Sequence, residues 1–152
     1  MQLTLWQWLV QGIPECISYT MLAWILLSNK FNFNSIVIIG VIQAVILFVF
    51  RFLPLPFGLH SLIAVISLSA LLTVFIKSRY SAALIVSLLV VVFLGVLELI
   101  LIPLQARLYN LPIELLFTDP LLAALTGLVQ VVVIFAVTLV VYKYKKANKN
   151  KR

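Results

Sequence analysis

Charged or titratable side chains stand out in segments that are otherwise almost wholly apolar, among them Glu15, Arg51, His60 and Glu98. A charge in a bilayer costs at least about 2.5 kcal/mol, so such a group is usually turned inward, paired or protonated. An arginine beside a carboxylate lowers the cost for both, and a histidine titrates near physiological pH. This combination is compatible with a ligand- or proton-binding site and equally with contacts between helices, a structural hydrogen bond of His60 and interfacial anchoring of Arg51.

A polar stripe runs along the first apolar segment. Its side chains recur every three or four residues and therefore share one helical face: Thr4, Gln7, Gln11, Glu15 and Ser18. A later segment carries a similar face with small and polar residues: Ser87, Gly95, Glu98 and Gln105. Such faces avoid lipid, so we expect facing helices to shield them. Gln11 and Gln105 therefore join the candidate residues for binding a ligand or partner.

The composition is that of an all-α integral membrane protein. Of 152 residues, 64% are hydrophobic and only 10% are charged, whereas a soluble domain is roughly half apolar and a quarter charged. One cysteine and one histidine cannot form a typical zinc site, and no catalytic set or phosphate-binding loop is present. We therefore predict no enzyme activity, cofactor or metal, and we expect Cys16 to be a small apolar filler.

Five segments approach the roughly 20 apolar residues that a membrane span needs: Leu3–Leu27, Ser35–Phe52, Leu59–Ile76, Ser81–Ile102 and Pro120–Val141. Pro103 is expected to end the fourth span, and residues 112–117 to form a short interfacial helix. Asp119 is the expected N-cap of the last span. Pro14 can split the first span, which would leave four spans and a re-entrant segment. Residues 1–142 thus form a single transmembrane helical domain, and residues 143–152 a basic tail.

The basic residues predict the orientation of this bundle of about five helices. Six of the eleven follow Tyr142. A cytoplasmic tail places Lys30, Lys77 and Arg79 on the same side and leaves only Arg51 and Arg107 outside, as the positive-inside rule requires. The N-terminus is then outside and the C-terminus cytoplasmic. The net charge of +7 is accordingly attributed to topology and to anionic lipid headgroups at the tail, and no nucleic-acid partner is expected.

This orientation brings several of the candidate residues toward one leaflet. Arg51 ends the second span and His60 begins the third on the outer side, while Glu98 lies about 7 Å of helix rise from Pro103. We expect these three, together with Glu15 near the middle of the membrane, to converge on one polar cavity that opens outward.

Three stretches carry a resemblance to a known family. They are Gln11-Gly12-Ile13-Pro14-Glu15, the segment from Arg51-Phe52-Leu53-Pro54 through Phe57-Gly58-Leu59-His60, and Glu98 through Pro103-Leu104. The chain from residue 7 to about 140 resembles the N-terminal membrane sensor domain of Firmicutes sensor histidine kinases of the GHKL/agr-like type. The middle stretch is the most specific. The resemblance implies a multi-pass sensory module in a bacterial cytoplasmic membrane.

The resemblance does not extend to kinase activity, because the sequence contains no phospho-acceptor segment or ATP-binding domain after its lysine-rich tail. A stand-alone relative and a shortened chain both fit this pattern. The expected function is a non-enzymatic sensory, regulatory or partner-binding module that forms a homo-oligomer or joins another membrane protein. The alternatives are a small proton- or solute-translocating protein and a structural accessory subunit of a larger membrane complex.

Overall fold

The computed structural model describes residues 6, 8–28, 30–53 and 58–149, apart from the side chains of residues 117 and 149. This part of the chain is helical and contains no strand: α1 (Trp8–Leu27), α2 (Phe33–Arg51), α3 (Leu59–Ile76), α4 (Tyr80–Tyr109), α5 (Ile113–Thr118) and α6 (Pro120–Lys149). All but α5 are long and apolar enough to cross a membrane. The predicted all-α class with five apolar helices is confirmed. Four residues used in the sequence analysis lie outside the described residues: Thr4, Gln7, Pro54 and Pro56.

The first helix is continuous across Pro14. It opens with a π-helical turn, Trp8–Gly12, and continues as α-helix from Ile13. A proline lacks the N–H donor and crowds the carbonyl four residues earlier, so it is tolerated best in the first turn of an α-helix. Pro14 occupies that place directly after the wider π turn. The split of this segment that the sequence allowed therefore does not occur.

Helix α1 lies at the centre of the bundle. Every residue from Ser18 to Ile25 is buried, and α1 packs against α2, α3, α4 and α6. Gly40 of α2 comes so close to α1 that a Cβ at residue 40 would meet the Cα of Ile17 at 2.7 Å. The segment with the polar stripe is thus the one that other helices surround, as expected from its composition.

The outer helices present apolar side chains to the surroundings of the bundle. Leu99 and Leu108 of α4 are 77% and 70% exposed, and Val74 of α3 is 71% exposed. Continuous apolar surfaces of this kind are rare on water-soluble monomers. With the five apolar helices, they indicate a multi-pass membrane protein.

Helix α4 does not end at Ile102 as the sequence predicts. It continues through Pro103 to Tyr109. Apolar helices tolerate proline because neighbouring groups satisfy the freed carbonyl. The true stop is Asn110, which adopts the left-handed conformation (φ 52°). The next amide, that of Leu111, bonds the carbonyl of Ala106 at 3.0 Å, which is the C-terminal pattern that a left-handed residue allows.

Two local predictions for the last connection are confirmed. The expected short helix is α5, and Asp119 caps α6 through hydrogen bonds that its Oδ1 accepts from the amides of Leu121 (2.8 Å) and Leu122 (3.1 Å). At its other end α6 runs to Lys149. Residues 143–149, predicted as a separate tail, therefore continue that helix.

Charge separates the two ends of the bundle. We define the basic end as the end of the bundle where the C-terminus of α1, the α3–α4 turn and the last turns of α6 meet. At this end the Nζ of Lys145 donates to the carbonyl of Ile25 at 2.7 Å. The basic end holds all but two of the described cationic side chains: Lys30, Lys77, Arg79, Lys143, Lys145 and Lys146. At the opposite end lie Arg51, at the end of α2, and His60, at the start of α3.

Candidate functional site

A cavity of about 200 Å³ lies between α1, α2, α3 and α4, toward the end opposite the basic end. Three helices each contribute an acidic or basic side chain to its lining: Glu15 of α1, Arg51 of α2 and His60 of α3. Arg51 and Ser61 are exposed and lie at its rim, whereas Cys16 and Tyr19 are buried. The cavity thus joins residues that are widely separated along the chain.

One face of α1 supplies much of the wall. Trp8, Gly12, Glu15, Cys16 and Tyr19 all line the cavity, and their spacing of three or four residues places them on one side of the helix. The Trp8 Nε1 donates to the carbonyl of Ala44 at 3.1 Å, which fixes the π turn against α2. The Tyr19 hydroxyl donates to the Cys16 Sγ at 3.3 Å.

The start of α3 depends on a glycine of the motif between Arg51 and His60. Gly58 has a φ of 92°, in the left-handed region that other residues avoid. Its carbonyl accepts the amide of Leu62 at 3.1 Å and so begins the helix. His60 then lies in the first turn, half-buried and facing the cavity.

The charges of the site act on one another through space. Glu15 interacts electrostatically with the Arg51 guanidinium and with the Glu98 carboxyl, and Glu98 also interacts electrostatically with Arg51. Among the described residues none of these groups forms a direct ion pair. A carboxylate and a guanidinium that share a cavity without being locked together can each bind a polar group of a third partner.

Glu98 does not line the cavity. Its side chain is exposed on α4, beside the buried side chain of Gln130 on α6. Because α4 runs on to Tyr109, Glu98 lies about 16 Å of helix rise from the end of its helix, farther from that end than the sequence predicted. The expected shielding by facing helices is incomplete here, since Glu98 remains exposed although it lies beside α6.

Gln11 and Gln105 also lie away from the cavity. The side chain of Gln11 packs against Gly127 of α6 and occupies the space that a Cβ at residue 127 would need. Gln105 is only 3% exposed, and neither of its amide atoms has a hydrogen-bond partner among the described residues. The six predicted site residues are therefore divided: Glu15, Arg51 and His60 share the cavity, and the other three lie elsewhere.

Sequence reasoning missed Tyr19 and Trp8 and treated Cys16 as filler, although all three line the cavity. Their spacing from Glu15 indicated that they share its helical face. Their residue types gave no such indication, because tyrosine, tryptophan and cysteine also occur on surfaces that face the membrane. Gln43 of α2 is fully buried beside Tyr19, and its Nε2 donates to the carbonyl of Ala64 at 3.1 Å.

The donors and acceptors of the cavity suit recognition. Glu15 offers a carboxylate, Arg51 a planar guanidinium, and His60 a ring that can donate and accept. The described residues contain no group of three histidine, cysteine or carboxylate side chains that could hold a metal ion. Comparisons with protein-family models, curated proteins and solved structures found no match to this chain.

Proposed function

We propose that this chain is a non-enzymatic sensory or regulatory membrane module that binds a ligand or a polar segment of a partner in the Glu15–Arg51–His60 cavity. One observation carries the proposal. Three helices bring a carboxylate, a guanidinium and an imidazole to the same cavity of about 200 Å³. Keeping such groups together inside an apolar bundle costs free energy, which favours a functional reason for their presence.

The orientation that accompanies this proposal has the basic end in the cytoplasm of a bacterial cell. Lysines and arginines are concentrated in cytoplasmic segments of membrane proteins. The cavity would then open toward the outer face, where an extracellular signal or an outer segment of a partner can reach Arg51 and Ser61. The resemblance to sensor-kinase membrane domains agrees with this arrangement and stays a prediction.

The position of Glu98 favours a partner that packs against this chain within the membrane. An exposed carboxyl group on α4, about 16 Å from the helix end, is costly when acyl chains surround it. A helix of another membrane protein or of a second copy that packs over Glu98 would remove that cost. The partner class proposed is therefore a membrane protein, in a homo-oligomer or a mixed complex.

The experiment is site-specific photo-crosslinking in cells. A photoreactive amino acid replaces Ser61 at the cavity rim or, as a matched control, Ser81, which is exposed near the basic end. We expect an adduct from position 61 that is absent from position 81. The adduct should weaken at least severalfold in chains that also carry Glu15→Gln or Arg51→Gln.

The dependence on cavity residues is the decisive part of that experiment. An adduct of equal strength at both positions, or one that Glu15→Gln and Arg51→Gln leave unchanged, contradicts recognition by the cavity. Absence of any adduct in cells that contain the native partners contradicts it as well. Equal amounts of folded protein in each variant, checked by gel filtration, keep these outcomes separate from loss of the fold.

Proton translocation is a second candidate, favoured by buried polar atoms deeper in the bundle. Thr20 Oγ1, Gln43 Oε1 and Ser87 Oγ have no hydrogen-bond partner among the described residues. Buried polar atoms of this kind often hold water, and a water chain beside Glu15 would provide a proton path. Liposomes with a pH gradient decide: flux that Glu15→Gln abolishes supports translocation, and absence of flux excludes it.

A further inference from the structure

A second cavity, separate from the Glu15–Arg51–His60 site, is an apolar groove toward the basic end of the bundle. The buried Leu22 of α1 and Val90 of α4 form its floor, and Leu89 of α4 faces Val137 and Val141 of α6 across it. All its lining residues are aliphatic or aromatic, and its volume is about 200 Å³. Since Leu89 is 58% exposed, the groove opens sideways, where a bilayer would place acyl chains.

The groove reaches the basic end at Leu26 and Val141. Lys145 lies one helical turn beyond Val141, and its Nζ donates to the carbonyls of Ile25 (2.7 Å) and Leu26 (3.2 Å). These contacts hold the ammonium group at the mouth of the groove. The two carbonyls are neutral, so the positive charge of Lys145 is not cancelled by them.

Among the described residues no acidic side chain lies at this end. All four acidic residues belong to the described part of the chain, and none lies at the basic end: Glu15, Glu98, Glu114 and Asp119. The six cationic side chains of the basic end therefore attract an external anion. At a membrane surface, clusters of lysine and arginine recognise the phosphates of anionic lipids.

We propose that the groove binds an anionic phospholipid, with one acyl chain between Leu89 and Val137 and its phosphate against Lys145. Every membrane lipid offers acyl chains as apolar as the groove, so the groove alone discriminates little between lipids. The charge supplies the selectivity. The site therefore prefers an anionic lipid to a zwitterionic one with the same chains.

The test measures lipids retained by the full chain. The protein is reconstituted in phosphatidylcholine vesicles that contain a minor fraction of phosphatidylglycerol with identical chains, extracted in mild detergent, and analysed by native mass spectrometry. We expect one phosphatidylglycerol to be retained preferentially. Lys145→Gln, which keeps a donor for the carbonyls, should lower that preference about fivefold, because one lysine near an anionic surface contributes about 1 kcal/mol.

A large side chain that fills the groove tests separately whether the groove binds the acyl chain. Val137→Trp should abolish the bound lipid, while Val140→Trp on the exposed face of the same helix should keep it. If Val137→Trp does not fold, Leu89→Trp fills the groove from the opposite wall, with Val92→Trp as its control. Equal retention of both lipids, or retention by a filled groove at the level of the unchanged chain, overturns the proposal.

Discussion

The sequence predicts two carboxylates, Glu15 and Glu98, in one cavity with Arg51 and His60, and only the first of them lies there. In the structure Glu15 lines the cavity with Arg51 and His60, whereas Glu98 is exposed on α4. Residue type and depth could be predicted from the chain, but the direction of each side chain depends on which helix is central. That property is set by tertiary packing.

The electrostatic link between Glu15 and Arg51 is testable by a double-mutant cycle. Arg51→Gln should lower the free energy of unfolding by about 1 kcal/mol or less, because Arg51 is exposed and solvent screens its charge. In a chain that already carries Glu15→Gln, the same change should cost less. Unfolding in detergent with increasing denaturant gives the four values.

A matched control separates coupling from general effects of charge. Arg107 lies near the end of α4 and is not among the groups that act on Glu15. Arg107→Gln and Glu15→Gln should therefore be additive. Additivity of the Arg51 pair as well would show that Arg51 and Glu15 do not share a site.

Gln105 is a buried amide without a hydrogen-bond partner among the described residues. Burial of an unpaired amide costs about 1–3 kcal/mol in proteins, so Gln105→Leu should stabilise the fold or leave it unchanged. Thermal unfolding in detergent measures the change. Strong destabilisation would mean that the amide of Gln105 is paired, for example with a buried water molecule, and would contradict an unsatisfied amide.

At the scale of helices, short-range signals were reliable. The cap at Asp119 and the helix α5 were predictable because capping and turn chemistry depend on a few adjacent residues. The end of α4 was not, because Pro103 is a stop in water and is tolerated in an apolar helix. The π turn before Pro14 was also unforeseen, since no residue type requires one.

The contact between α1 and α2 predicts the effect of one methyl group. Gly40→Ala would push a Cβ against the backbone of Ile17, and overpacking of this kind costs about 1–3 kcal/mol. Gly95 of α4 has nothing within 4 Å of a Cβ, so Gly95→Ala should be neutral or stabilise by up to about 1 kcal/mol. Equal unfolding midpoints for the two variants would contradict this packing.

The Asp119 cap predicts a second local effect. Asp119→Ala removes the acceptor of the amides of Leu121 and Leu122, and it should destabilise the protein by about 1 kcal/mol. Asp119→Asn retains an acceptor oxygen and should restore most of the loss. Denaturant unfolding of both variants checks the difference, which would vanish if Asp119 acted only through its charge.

For the whole molecule, composition was sufficient to predict an all-α bundle with five apolar helices, because a bilayer permits few alternatives. The positions of the basic residues along the chain also predicted the asymmetry of charge: cations gather at one end, and the Glu15–Arg51–His60 cavity lies toward the other. The arrangement of helices around α1 could not be predicted, since apolar helices offer many equivalent partners in lipid.

The most direct test of this account compares two adjacent positions of α4. Val91 lines the cavity, and Val92 is 56% exposed on the outer surface of the bundle. In a Cys16→Ala chain in intact cells, Val91→Cys should react with a small charged methanethiosulfonate reagent, and Val92→Cys should stay unlabelled because lipid covers it. Equal labelling at both positions, or labelling at Val92→Cys alone, would contradict the proposed access of water from the outer face to the Glu15–Arg51–His60 cavity.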